Sequence, residues 1–302
     1  MSNLDNAGKP RVAVATDSNS GMTQEEGRRR GVGVIPMPCL IDGKEYFEDI
    51  SITRDEFFQR QESDADVQTS QPSPESLITL WDKLLEDHEG VVYIPMSGGL
   101  SGSVQTAMIL AEEYDGRVQV VDNHRIAPTQ KQSVLEAVEL AKAGWDAKAI
   151  RDFLMEHAYD ASIYIAVDTL KYLKKGGRVT AAGAAIGTLL NIKPILQIQG
   201  EKLDAFAKVR GMKQAQEKMM QAVEADIKGR FAGCEVMIQG AHTCDAATAE
   251  QWRQTLAERF PGHKISVDPL ALSISCHIGA GALAVVCSKI QPEASGFVYE
   301  LE

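Results

Sequence analysis

The sequence predicts an α/β protein in two parts. A mainly parallel sheet with helices on both faces comes first, and an α/β domain with a mixed sheet follows. Three observations carry this. From Arg11 to about residue 158, short apolar runs alternate with helical stretches of ~10–15 residues, the texture of strand–helix–strand crossovers. After residue 161 the pattern KPILQIQ-GEK-LDAFAKV reads as a hairpin and brings in antiparallel pairing. The 302 residues are 44% hydrophobic and 24% charged, which supports a sizeable core and, at ~150 residues per domain, room for two. The expected layout is a polar, disordered 1–10, an N-terminal domain over 11–160 and a C-terminal domain over 161–302, with the two domains flanking the ligand site.

Taken in order, RVAVATD (Arg11–Asp17) reads as a buried strand and VGVIPMP (Val32–Pro38) as a second. CLI and KEYF flank Asp42-Gly43, a hairpin signal because both central residues of a type I′ turn need positive φ. Thr53 with Glu56 is a capping-box pattern opening a short helix with Phe57 and Phe58 on its apolar side. In TSQPSPESLITLWDKLLEDH, Ser73 caps a helix and Pro74 suits its first position, with Leu77, Leu80, Trp81, Leu84 and Leu85 as the apolar stripe. VVYIPM is a strand, SGGLSGS a loop, VQTAMILAEEY a helix and RVQVVD a strand. Helices follow at about 129–143 and 146–158, the second capped by Asp146. Beyond 161 come the strand ASIYIAV, a helix LKYLKKGG stopped by glycines, and the small-residue run TAAGAAIGTLLN. The hairpin, a long helix near 211–228, the strand CEVMIQG, a helix at 246–259, the strand KISVDPL and a Gly-rich ending complete the chain.

Composition excludes several classes. The net charge of −11 repels polyphosphate, so nucleic-acid binding is not expected. No apolar run reaches the ~18–20 residues of a membrane span, and MSNLDNAGKPR has no signal-peptide apolar region, so a cytoplasmic protein is expected. The five cysteines (Cys39, Cys234, Cys244, Cys276, Cys287) are scattered with no CxxC, as in reduced thiols. His242, Cys244 and Asp245 lack a second spaced pair, so no metal is expected.

Chemistry concentrates in a few segments. Ser97-Gly98-Gly99-Leu100-Ser101-Gly102-Ser103 lies between a strand and a helix, where open α/β sheets bind ligands and helix amides suit an anion. It also reads as a tight turn with Ser101 or Ser103 as N-cap. It is neither a nucleophile elbow, which needs glycine at 103, nor a phosphate-binding P-loop. Thr69-Ser70-Gln71-Pro72-Ser73-Pro74 is a second hydroxyl-rich turn, stiffened by its prolines. His277 stands beside a Gly-rich turn and offers a donor, or serves the core. Lys171, Lys174, Lys175 and Arg178 cluster around Gly176-Gly177. A helix C-terminus accounts for the lysines but not for Arg178, which lies past the glycines. Ala181–Leu190 reads as packed core or as the wall of an apolar tunnel.

Six segments in this order, ATDSNSG, TSQPSP, IPMSGGLSGSVQTA, VDTLKYLKKGGRV, GTLLNIKPIL and CHIGAGAL, resemble the DegV family of bacterial fatty-acid-binding proteins, from about residue 11 to 288. The resemblance implies a two-domain α/β protein with one long-chain fatty acid, such as palmitate or oleate, buried between its domains, and no other cofactor. It implies that Thr69, Ser101 and His277 hold the carboxylate, with Ser97, Gly98, Gly99 and Ser70 as loop contributors. Some members are FakB-like lipid-carrying subunits of a fatty acid kinase that serves phospholipid metabolism. That implies an ATP-dependent kinase partner contacted through Arg178 and Lys175, transient membrane contact for lipid exchange, and no catalysis by the carrier itself. The chain departs from the family pattern at Ala280, where H-x-G-P-G-A has proline, and at Asn19 and Ser20. Burying ~14 methylenes at ~0.8 kcal/mol each gives ~11 kcal/mol of gross transfer free energy, which favours tight retention. Two other functions fit the same residues. One is a serine hydrolase or acyltransferase on a lipid, with Ser101 as nucleophile and His277 as base. The other is a lipid-sensing regulator without a kinase.

Overall fold

The computed structural model describes residues 11–185, 191–199 and 202–300. The sequence-predicted disordered segment 1–10 and half of the proposed tunnel wall, residues 186–190, lie outside the described residues. In chain order the elements are β1 (Val12–Asp17), α1 (Gln24–Arg30), β2 (Val32–Ile35), β3 (Pro38–Ile41), β4 (Lys44–Phe47), α2 (Arg54–Glu62), β5 (Val67–Thr69) and α3 (Pro74–Leu85). Then come β6 (Gly90–Ile94), α4 (Ser103–Ala111), β7 (Val118–Val120), α5 (Pro128–Lys142), α6 (Ala147–Glu156), β8 (Ala161–Ala166), α7 (Lys171–Gly176) and α8 (Ala181–Ala184). The chain continues through β9 (Ile192–Ile198), β10 (Asp204–Arg210), α9 (Met212–Lys228), β11 (Val236–His242), α10 (Ala246–Arg259), β12 (Ile265–Pro269), α11 (Leu272–Ile278) and β13 (Leu283–Lys289), and ends in a 3₁₀ segment, Pro292–Glu300.

These elements form two compact units, and neither is continuous in sequence. The first comprises residues 11–37, 71–159 and 291–300; the second comprises 38–70 and 160–290. A single cut near 160 therefore does not describe the chain. Residues 38–70, assigned from sequence to the N-terminal domain, pack with the C-terminal half, and the last turns return to the first unit. The strand expected over Val32–Pro38 breaks accordingly. β2 ends at Ile35, and Pro38 opens β3 in the other unit.

The first unit holds the four-stranded sheet β2-β1-β6-β7, parallel at every pairing. Its strands are buried nearly throughout, as sheets covered on both faces require. α3 starts as expected: the Ser73 hydroxyl accepts the Ser76 N–H, and Pro74 takes the first turn, where no amide partner is missed. Its inward stripe seats Leu77 and Trp81 against Val91, Tyr93 and Val118. The Trp81 and Tyr93 rings meet edge-to-face at 5.6 Å.

The second unit holds two sheets. The larger runs β10-β9-β8-β13-β11-β12, antiparallel except for β11–β12, which α10 connects as a crossover. Its core gathers Met219, Val223, Ile238, Trp252 and Val285. The smaller sheet, β4-β3-β5, is antiparallel. Its β3–β4 turn has Asp42 at φ 53° and Gly43 at φ 77°, the type I′ geometry the sequence predicts. Cys39, Ile41 and Phe57 of this layer pack on Leu272 and Cys276 of α11. Within this unit, the 38–70 segment thus becomes the support for a helix that lies more than 200 residues later.

Candidate functional site

Within the second unit, the structure joins two of the sequence-predicted residues. Thr69 is the last residue of β5, held through its pairing with Cys39 of β3. His277 stands in the last turn of α11. Thr69 Oγ1 and His277 Nε2 lie 3.0 Å apart and form a hydrogen bond whose donor depends on the imidazole tautomer. Burial, with the Arg178 guanidinium adding to it, pushes His277 down to about 4, so the ring is neutral at neutral pH. The pair offers a hydroxyl and a neutral imidazole, not a cation.

The glycine pair after α7 makes room for this ring. A Cβ at Gly176 would stand 2.1 Å from His277 Nδ1, so only glycine lets the end of α7 lie against the imidazole. Gly177, at φ 68°, ends the helix in the left-handed conformation. Arg178 then turns back and donates to the Gly176 carbonyl. Lys171 pairs with Asp64, and Lys175 with Asp66 at 2.6 Å. All four side chains are exposed, so these pairs contribute little to stability, but they draw α7 toward the approach to β5. The result is a cavity of about 290 Å³ lined by Thr69, His277, Arg178, Tyr172, Gln61 and Lys175 among others. Arg178, assigned from sequence to a partner surface, therefore lines the same cavity as the two donors. Ser70 is exposed, and its N–H donates to Pro38 O at 3.4 Å.

The turn after His277 carries Ala280, and a side chain the sequence reading missed supports it. Thr243 Oγ1 donates to the Gly279 carbonyl at 2.7 Å and accepts the Ala282 N–H at 2.9 Å, while the Thr243 carbonyl accepts the Gly281 N–H. A threonine one residue past β11 thus spans the turn, and nothing in its local sequence signals that. Gly279 is at φ 78°, and a Cβ there would collide with the Tyr172 ring at 2.6 Å.

Ser97, Gly98, Gly99 and Ser101 belong to the first unit, at the carboxyl end of β6. The amides of this loop are largely engaged within that unit. Ser97 N–H donates to Arg125 O at 2.8 Å and Gly98 N–H to Asp122 Oδ1 at 3.0 Å. Gly99 N–H reaches Ser97 Oγ, and the Leu100 and Ser101 amides reach the Ser97 carbonyl. Neither Ser101 nor Ser103 is the N-cap of α4; that position is Gly102. The half-buried Ser101 hydroxyl accepts the Ser103 N–H at 3.2 Å.

A larger cleft, about 620 Å³, opens at the carboxyl end of β11 beside His242 and Cys244. His242 Nδ1 faces the Cys244 backbone, and burial lowers its pKa. Among the described residues no three His, Cys, Asp or Glu side chains group as a metal site, and no helix is long and apolar enough to cross a membrane.

Residues 11–289 match the family model described as "Uncharacterised protein, DegV family". A DegV domain-containing protein of Listeria innocua is 32% identical over 283 residues, spanning 92% of this chain and 98% of the relative. The structure superposes on a DegV family protein of Thermus thermophilus, described for its fatty acid binding, with a TM-score of 0.84 at 33% identity. The match covers 93% of this chain and all of the other. It also superposes on DegV of Bacillus subtilis, a fatty acid binding protein, with a TM-score of 0.81 at 26% identity over 93% and 100% of the two chains. The sequence match over nearly the whole length and the shared architecture show that this chain is a member of the DegV family.

Proposed function

We propose that this protein binds a long-chain fatty acid and receives its carboxylate at Thr69 and His277. The observation that carries the reading is their 3.0 Å contact across 208 residues of sequence, at the wall of a cavity that also holds Arg178. A carboxylate taken out of water needs donors to offset its desolvation. The mutual hydrogen bond of Thr69 and His277 spends one donor of the pair and leaves the other, threonine O–H or imidazole N–H according to tautomer, as one such donor, and the Arg178 guanidinium adds a charged one. The fatty-acid-binding relatives at 33% and 26% identity support this reading.

The proposal extends to a carrier role, in which the bound acid is presented to an ATP-dependent kinase that phosphorylates its carboxylate. Arg178 and Lys175 are the residues assigned to that partner. Lipid extraction and mass spectrometry of the purified protein test the first part. About one acyl chain per protein is expected, and protein that yields none and takes up neither palmitate nor oleate rejects it. For the second part, Arg178→Ala should leave most lipid bound and abolish acyl-phosphate formation with the cognate kinase. Unchanged turnover removes Arg178 from the carrier role.

A further inference from the structure

The helix that carries His277 does not secure its own ends. α11 has seven residues, LSISCHI, and follows Ala271 with no side-chain cap. Its serine, isoleucine and cysteine are weak helix formers, and a helix this short leaves most of its terminal amides and carbonyls without partners. The 38–70 segment of the same unit supplies them. At the start, Glu48 Oε2 accepts the Leu272 N–H at 2.8 Å. Arg54 pairs with Glu48 Oε1 at 2.7 Å and donates to the Leu270 carbonyl at 2.7 Å. At the other end, Gln61 Nε2 donates to the carbonyls of Ser275 and Cys276 at 3.3 and 3.2 Å. Gln61 is only 2% exposed, and its Oε1 is buried without a partner, so its donor side alone anchors it. The segment that ends in Thr69 therefore grips both ends of the helix that ends in His277.

We propose that Gln61 and Glu48 are positioning residues which, by capping the two ends of α11, set where His277 stands against Thr69 and so tune the affinity of the carboxylate site. The affinity half of this claim rests on the lipid-binding reading; the positioning half does not.

A double-mutant cycle tests it with palmitate as probe. Gln61→Met should weaken palmitate binding about tenfold in the wild-type background and less than about twofold in a His277→Ala background, because its effect passes through the ring. Glu48→Met should weaken binding similarly, and Glu48→Gln, which keeps an acceptor for the Leu272 N–H, should recover most of that loss. In full-length protein with labelled histidine, the His277 titration should move from about 4 toward the ordinary imidazole value in Gln61→Met. Losses that add fully in the double mutant, or an unmoved His277 titration, overturn the proposal. If Gln61→Met does not fold, Glu48→Met against Glu48→Gln makes the same comparison. Wild-type protein that takes up no palmitate rejects the lipid reading, while the titration still decides whether Gln61 positions the ring.

Discussion

The two hydroxyl-bearing loops of this protein use their polar groups in opposite ways. In the first unit, Ser97–Ser103 looks like an anion nest in sequence, yet its amides are donated to Asp122, to Arg125 O and to the loop's own serine. In the second unit, Thr69 ends a three-residue strand and meets a neutral imidazole at a cavity wall beside an arginine. The difference teaches that a Gly/Ser-rich turn at a sheet edge is a binding site only to the extent that its donors remain unused. Thr69 and His277, brought from distant segments, spend one donor on each other and leave the second outside any local turn.

Substitutions at one glycine in each region sharpen the contrast. Gly176→Ala places a methyl 2.1 Å from the His277 ring, which β5 and α11 hold in place, and the end of α7 has to shift. We expect about 3 kcal/mol of destabilisation in chemical unfolding, with fatty-acid binding reduced at least as far as in His277→Ala. Removing the donors comes next. Thr69→Val and His277→Ala should each cost roughly 1–3 kcal/mol of palmitate binding, and the double variant less than their sum, since the two share one hydrogen bond. Calorimetric affinities that add fully would separate the residues functionally. Gly98→Ala is milder. Its Cβ meets Asp122 Oδ2 at 2.5 Å, the end of a side chain that can swing away, and what is lost is mainly the Gly98 N–H bond to that carboxylate. About 1 kcal/mol is expected, and a cost equal to that of Gly176→Ala would erase the distinction between the regions.

The remaining signal is in pH. His277 is held down to about 4, while the unfolded chain titrates at the ordinary imidazole value near 6.5. Between those values the unfolded state binds a proton that the native ring refuses. Stability should therefore fall as pH drops from 6.5 toward 4, with this contribution absent above 7 and constant below about 4. His277→Gln should flatten that part of the melting-temperature profile, and an unchanged profile would mean that the ring titrates normally.

Much of the fold was legible in sequence because its signals are local. The Asp42-Gly43 turn, the Ser73-Pro74 start of α3, the Asp146 cap of α6 and the glycine stop after α7 each depend on residues within a few positions of one another. So does the β9–β10 hairpin. The resemblance to the DegV family singled out Thr69, Ser101 and His277 as carboxylate residues; the contact between Thr69 and His277 appears only in the folded second unit. Other elements escaped, among them α1, β5, β13 and α11. β13, hidden in what reads as a Gly-rich ending, is an interior strand of the six-stranded sheet, between β8 and β11. α11 has no cap in its own sequence, since its end groups are met by Glu48 and Gln61 from more than 200 residues away.

By itself, then, the sequence determined the elements whose ends are closed by their own neighbours, together with the α/β class and the charge that argues against a polyanionic partner. Only the tertiary structure decided that residues 38–70 join the second unit, that Thr69 meets His277, that Arg178 turns into the same cavity, and that the loop amides around Gly98 are largely engaged. The reason is physical. A hydrogen-bonding group is spent on whichever partner reaches it first in space, and for α11 and its histidine those partners come from strands and helices that only folding brings near.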